Sequence, residues 1–379
     1  MKVGRVLSIV AFFSLYNILM FYLGWNALIW VKVAFSFKHD ALYWLAIVIF
    51  SYAYILGRMV KWLSSLSILG SIWFGFIQYG LLLFPVANFA VWLLGLSGVE
   101  NEIAIVWVGT VTATLLTGIF AFGLYNAYSP VIRKHEVSIP KKNKVEKLHI
   151  AVASDMHFGK LSGVAHAKRL VKTIEHIKPD IILLPGDIID DEPEYFQKKN
   201  MGAIMKQLHA PLGIYGVLGN HEYYGREIPE FLNEMKKVDI RILMDEVIKV
   251  GDSFYLLGRK DKTDSRRKSF KQLIKEVELD SSIPLIAMDH QPAELKEAQE
   301  SGVDLIVSGH THRGQMAPNH LITSRLFELD WGYLKKGQLH AFVSSGFGFW
   351  GPPLRIGSRS EVMQIIIKFE EKEGFSNHG

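Results

Sequence analysis

Five short clusters between residues 150 and 315 carry side chains suited to holding metal ions. They read Ser154-Asp155-Met156-His157, Gly186-Asp187, Gly219-Asn220-His221-Glu222, Asp289-His290-Gln291-Pro292 and Gly309-His310-Thr311-His312. Together they supply carboxylates, imidazoles and an amide oxygen, donors that divalent first-row cations accept. Asp155 and His157 are two apart, as are His310 and His312, so each pair can converge just beyond a strand end. The glycines before Asp187, Asn220 and His310 allow sharp turns and close backbone approach. One such cluster is a weak signal, because an isolated buried histidine is usually part of a core. Five in order, each behind an apolar run, are not a chance arrangement. The chain has no cysteine, which excludes thiolate ligands, a thiolate nucleophile and a disulfide scaffold.

The runs that must position these clusters alternate in character. Strands are expected at 148–153, 180–184, 214–218, 240–244, 254–257, 285–288, 305–307, 341–343 and 363–367, with helices at 164–177, 196–208, 228–237, 267–277 and 291–300. Alternating strands and helices indicate an α/β layer architecture. In such sheets ligands sit beyond the carboxyl ends of the strands, where the five clusters fall.

The pattern Asp-x-His, Gly-Asp, Gly-Asn-His-Glu, His and Gly-His-x-His across roughly 148–368 resembles that of the calcineurin-like metallophosphoesterases. Within them it is similar to the membrane-associated branch of YkuE-like and YaeI-like proteins. The run Ser345-Gly346-Phe347-Gly348-Phe349-Trp350-Gly351-Pro352-Pro353-Leu354-Arg355 resembles that branch's C-terminal signature. The resemblance implies a four-layer α/β sandwich, two β-sheets flanked by helices, over 148–370. It assigns Asp155, His157, Asp187 and His312 to one metal. Asp187 bridges to a second, completed by Asn220, His290 and His310. His221 matches the catalytic histidine that is not a ligand. Two divalent ions (Mn, Fe or Zn) are the implied cofactors, and metal-activated hydroxide is the expected nucleophile. Glu222 is expected either to orient His221 or to be a solvated loop acid.

Two departures stand out. Ile188-Ile189-Asp190-Asp191 replaces the Asp-Arg-Gly of protein serine/threonine phosphatases, and Arg313 follows His312 where relatives often have Gly. Arg313 and Arg355 are candidate phosphate contacts, set against surface arginines on structural loops. Tyr223, Tyr224, Phe347, Phe349 and Trp350 are expected to line an apolar wall beside the site or to pack in the core.

The N-terminal third has a different composition. Residues 1–130 hold nine charged side chains, whereas the other 249 residues hold seventy. A bilayer core is crossed by about 20 apolar helical residues. Four spans are expected, near 6–29, 40–58, 66–84 and 103–126, the third ending at Pro85 before an interfacial stretch. Residues 131–147 read as a basic linker and 371–379 as a polar tail. Lys2, Arg5, Arg58, Lys61, Arg133, Lys134, Lys141, Lys142 and Lys144 share one side of a four-span topology. The positive-inside rule then makes this a multi-pass plasma-membrane protein with its globular domain in the cytoplasm.

The expected activity is hydrolysis of a phosphoester or pyrophosphate bond. The substrate would be phosphorylated and amphiphilic, such as a lipid-linked or nucleotide-sugar compound. A nuclease or cyclic-nucleotide phosphodiesterase is the alternative enzyme. The globular part has a net charge of only +2, and no basic run interleaved with aromatics lies outside the linker, so no specific nucleic acid is expected. A sensor or scaffold with a non-catalytic module is the alternative of another class. No protein partner is legible.

Overall fold

A computed structural model describes residues 2–141, 143 and 145–369. Lys142 and Lys144 of the expected linker and the expected tail 371–379 lie outside the described residues. The chain divides into a first compact unit ending at Gly123 (joined by Gly351–Pro353) and a second beginning at Leu124.

The first unit is built from α1 (Lys2–Phe35), α2 (Asp40–Met59), α3 (Leu66–Leu96) and α4 (Asn101–Tyr128) up to Gly123, the last turn of α4 belonging to the second unit. All four are long and apolar enough to cross a membrane. Met20, Leu23, Trp73 and Phe84 form a small core, while Phe12, Ile18 and Leu42 are more than 60% exposed. Small residues let α2 and α3 meet closely. A Cβ on Gly57 would overlap Ser67, and one on Gly70 would overlap the Tyr54 backbone.

One boundary differs from expectation. Pro85 does not end the third helix, which runs on to Leu96. A proline removes a single backbone donor, and in a segment with no charged side chain nothing else favours an exit. The helix stops only at Ser97-Gly98, where Gly98 has φ +83°.

The second unit is a sandwich of two six-stranded sheets. The first sheet contains β1 (Val131–Ile139), β2 (Lys147–Val152), β3 (Ile181–Pro185), β4 (Ile214–Val217), β5 (Ile240–Ile242) and β12 (Glu361–Phe369), in the order β1-β12-β2-β3-β4-β5. The second contains β6 (Glu246–Val250), β7 (Phe254–Gly258), β8 (Leu285–Met288), β9 (Leu305–Ser308), β10 (Gly332–Lys336) and β11 (Leu339–Val343), in the order β10-β11-β9-β8-β7-β6. β2, β3, β4 and β5 run parallel, as do β7, β8, β9 and β11.

Strand alternation sorts the side chains. Leu148, Ile150, Val152, Leu256, Ile286 and Val307 fill the space between the sheets. Ala151, Ile182 and Leu184 face the other way, toward α5 (Val164–Ile177), α7 (Met201–Met205) and α9 (Ile228–Lys237). α10 (Phe270–Lys275) and α11 (Leu295–Glu300) cover the outer face of the second sheet. The short helices α6 (Glu194–Lys198), α8 (Asn220–Gly225) and α12 (His320–Leu326) complete the unit. The result is the four-layer α/β fold.

The basic stretch 131–147 is not a tether. Its first nine residues are β1, paired in parallel with β12 along its whole length. Val137 and Ile139 point into the core, and Arg133 Nε meets Glu361 Oε2 at 2.6 Å. Lys141 pairs with Asp304 at 2.7 Å. Two cations and a histidine in mid-strand hid an alternating pattern, so the globular fold begins well before residue 148. β6 and β10, both edge strands, were likewise not expected.

Candidate metal centre

β2, β3, β4, β8 and β9 deliver the five clusters to one place. Their ligand-type atoms converge in overlapping groups: Asp155, His157 and His312; Asp155, Asp187 and His290; and His157, Asp187 and His221, each lying within 4.8 Å. His157 Nε2 and His312 Nε2 are 3.0 Å apart, and His290 Nε2 lies 3.2 Å from Asp187 Oδ2. The Asn220 amide oxygen stands 3.1 Å from His290 Nε2 and 2.8 Å from His310 Nδ1. All eight expected ligand and catalytic side chains from Asp155 to His312 therefore converge around Asp187, and all but His310 are buried.

The backbone bends sharply to achieve this. Asp155, His157, Asp187, His310 and His312 all take positive φ, between 44° and 71°. Such angles cost roughly 1–3 kcal/mol each outside glycine and cluster at functional sites. Glycine is needed where loops touch: a Cβ on Gly219 would overlap the Asp187 carboxylate, and one on Gly309 would overlap that of Asp155.

The electrostatics suit cations. Burial pushes His157 down to about 3 and His310 down to about 4, so both are neutral, the form that ligates metal. Burial likewise holds His312 well below the usual range. Burial raises Asp155 to about 6. Asp187 resists burial and is held low by His290, which is itself raised by Asp187. Three imidazoles held neutral, His290 beside Asp187, the Asn220 amide oxygen and two buried carboxylates form a donor set that fits divalent cations.

His221 behaves differently. Although burial opposes its charge, a 2.7 Å hydrogen bond from its Nδ1 to Asp191 Oδ1, with Asp187 and Asp190 nearby, raises it to about 9. Asp191 was not singled out from sequence; the acids after Gly186-Asp187 were the available signal.

Glu222 neither orients His221 nor sits in solvent. It is 1% exposed and accepts four backbone N–H groups, from Asp187, Ile188, Ile189 and Gly219, at 2.7–3.1 Å. It clamps the loop after β3 to the loop after β4. Burial and the Asp187 charge push its carboxyl up, while the Gly219 and Ile189 N–H groups and His290 oppose them.

The two arginines part company. Arg355 is fully buried, not at the site mouth. Its guanidinium donates to the carbonyls of Ser345 and Gly348 and to Ser358 Oγ, and stands 3.2 Å from His312 Nδ1. Most of its donors brace the 345–358 loop. Arg313 is only partly buried, stacked 3.9 Å over Trp331. Phe347 and Phe349 are core residues, whereas Tyr224 and Trp350 are more than half exposed.

Residues 148–314 match the calcineurin-like phosphoesterase family model. A metallophosphoesterase of Helicobacter pylori is 32% identical over 66% of this chain and 68% of its own length. One from Aquifex aeolicus is 30% identical over 65% of this chain and 95% of its own. The chain belongs to the calcineurin-like metallophosphoesterases. It is a phosphoester hydrolase of a metal-dependent family. A zebrafish relative described as a transmembrane protein with a metallophosphoesterase domain is 28% identical over 68% of this chain and 62% of its own.

Proposed function

We propose that this phosphoesterase is a multi-pass plasma-membrane enzyme that hydrolyses a phosphoester or pyrophosphate bond in an amphiphilic, phosphorylated substrate. The observation that supports it most is a histidine, His221, held by Asp191 at 2.7 Å beside seven convergent ligand-type side chains centred on Asp187. Four helices long and apolar enough to span a bilayer support the membrane reading. The excess of Lys and Arg on the N-terminal side of that topology supports a cytoplasmic catalytic domain.

Asp155, His157, Asp187 and His312 would hold one cation, and Asp187, Asn220, His290 and His310 a second. Once bound, the cations acidify water and offset phosphoryl charge. The chain's own residues do the rest. Asp187 is fixed from both sides, by the His221 backbone N–H on Oδ1 at 2.9 Å and by the His290 ring near Oδ2. Asp155 is fixed by the His310 N–H at 2.9 Å. Asp191 holds His221 through Nδ1, so the Nε2 proton is the one free to move. As a water oxygen adds to phosphorus and the bond to the leaving group breaks, His221 gives that proton to the departing oxygen. Arg313, stacked on Trp331, would be the group to meet a second anionic group of the substrate.

The test uses full-length protein with Mn²⁺ and a model phosphodiester. His221→Ala keeps its metal and loses most turnover, while Asp187→Asn loses metal. Retention of both metal and full activity by Asp187→Asn would overturn the ligand assignment. An export-dependent reporter fused after Gly379 checks the orientation, and activity of that reporter would reverse it.

A further inference from the structure

α12 is amphipathic in the wrong sense for a soluble protein. None of its seven residues is buried. Leu321, Ile322 and Leu326 are 49%, 59% and 72% exposed. With Arg325 they make up two i, i+4 pairs, so all four share one face. The opposite side is fastened to the site. Thr323 Oγ1 donates to Asp330 Oδ2 at 2.7 Å, and the Phe327 ring lies 6.0 Å from that of His310. A Cβ on Gly314, two residues after His312, would overlap the backbone at Asn319 and His320. The helix is therefore held firmly while presenting three large aliphatic side chains outward, a combination that marks an interaction surface.

Contacts within the second unit indicate what covers that face. The last turn of α4 packs on residues 355–360: Asn126 Nδ2 donates to the Arg355 carbonyl at 3.1 Å, and Ser360 Oγ donates to the Ala127 carbonyl at 2.6 Å. The neighbouring Ile356 exchanges backbone hydrogen bonds with Gln315 and Ala317, at 2.9 and 2.8 Å, directly before α12. One short strap thus joins the end of the last apolar helix to the base of α12. Charge agrees with an anionic surface. Arg325 lies on the exposed face and Lys335 is exposed on the following strand. Of the nearby acids, Glu328 is paired with Lys336, while Asp330 keeps its charge and accepts from Thr323 on the inner side of the helix.

We propose that α12 is a membrane-surface anchor. Leu321, Ile322 and Leu326 enter the boundary between headgroups and acyl chains of the bilayer that α4 leaves, with Arg325 at the level of anionic headgroups. This keeps the His310 side of the site against the lipid surface, where a phosphorylated headgroup is presented without leaving the bilayer. The inference rests on the reading that the four apolar helices cross a membrane.

The absence of cysteine makes the test clean. Ile322→Cys and, separately, Leu326→Cys are labelled with an environment-sensitive fluorophore in the full-length protein. Each is reconstituted in vesicles of phosphatidylglycerol and phosphatidylethanolamine. Both labels are expected to shift to the blue and to lose emission when lipids carry a nitroxide high on the acyl chain. A label at Ser265→Cys, on an exposed polar loop, stays water-like. Water-like emission at 322 and 326 overturns the anchor. So does blue emission that nitroxide lipids leave unquenched, which means that a second copy or another protein covers the face. A label at Val48→Cys, on the outside of α2, separates the two readings. If it is quenched while 322 and 326 are not, only the anchor falls; if none is quenched, the spans fall with it.

Discussion

Replacing Glu222 with glutamine isolates the clamp beneath the metal centre. The carboxylate accepts two N–H groups on each oxygen: Ile188 and Ile189 on Oε1, Asp187 and Gly219 on Oε2. Glutamine keeps one oxygen and turns an NH₂ toward the other two donors. Each hydrogen bond to an ionised acceptor is worth about 1.5–3 kcal/mol, so losing two costs at least about 3 kcal/mol. Two effects oppose this, burial of a charge and its repulsion by Asp187, and cations bound beside Asp187 would weaken the second. The geometry favours the clamp, because an acidic proton on Glu222 would find both oxygens already facing donors. The loss is local, so hydrogen exchange read by mass spectrometry on peptides covering 185–190 is the assay. A cost of about 3 kcal/mol accelerates exchange of those amides by about 100-fold. Bound metal should fall with it, because Asp187 loses its backbone anchor. Unchanged exchange at 187–189 with full metal content would show that the charge penalty cancels the four hydrogen bonds and refute the reasoning.

Acid should destabilise the globular unit through His166. Burial holds this α5 histidine at about 4 against an ordinary 6.5, while its Nε2 lies 3.0 Å from the Phe347 carbonyl. The unfolded chain takes up the proton first, so stability is complete above pH 6.5 and is lost as pH falls toward 4. The difference is worth about 3 kcal/mol, and His166→Gln should flatten the fall in thermal midpoint over that window. Arg313→Gly relieves a φ of +51° at the loss of a stacked cation, so stability should change by less than about 1 kcal/mol. KM should rise about 10-fold or more if the guanidinium holds substrate; an unchanged KM removes it from the site. Gly309→Ala should lower metal occupancy by displacing Asp155, as measured by elemental analysis of the purified protein, and unchanged occupancy would show that the loop yields instead.

What the sequence reveals follows the range of the interactions. That eight ligand-type side chains converge was legible because each lies within a few residues of an apolar strand, and the parallel strands of each sheet put their ends on one side. Asp191 lay one step beyond that logic, since its role depends on where the loop after β3 carries it relative to α8. Glu222 and Arg355 were misread for a shared reason. A charged side chain beside a glycine-rich loop looks available for chemistry, yet in both cases buried backbone groups across a long sequence gap consume it. The 345–358 loop has carbonyls that no strand satisfies, and Arg355 answers them from within. β1 failed for a related reason: the partner that neutralises Arg133 is Glu361, 228 residues away. Pro85 shows the converse limit, because a local rule about helix ends loses its force when no polar neighbour makes an exit favourable. Charged residues in this chain therefore carry two meanings that local pattern does not separate. Long-range backbone contacts separate two of these residues: buried Glu222 and Arg355 are consumed by main-chain groups and hold loops in place, while Arg313 and Arg325 stay in reach of solvent.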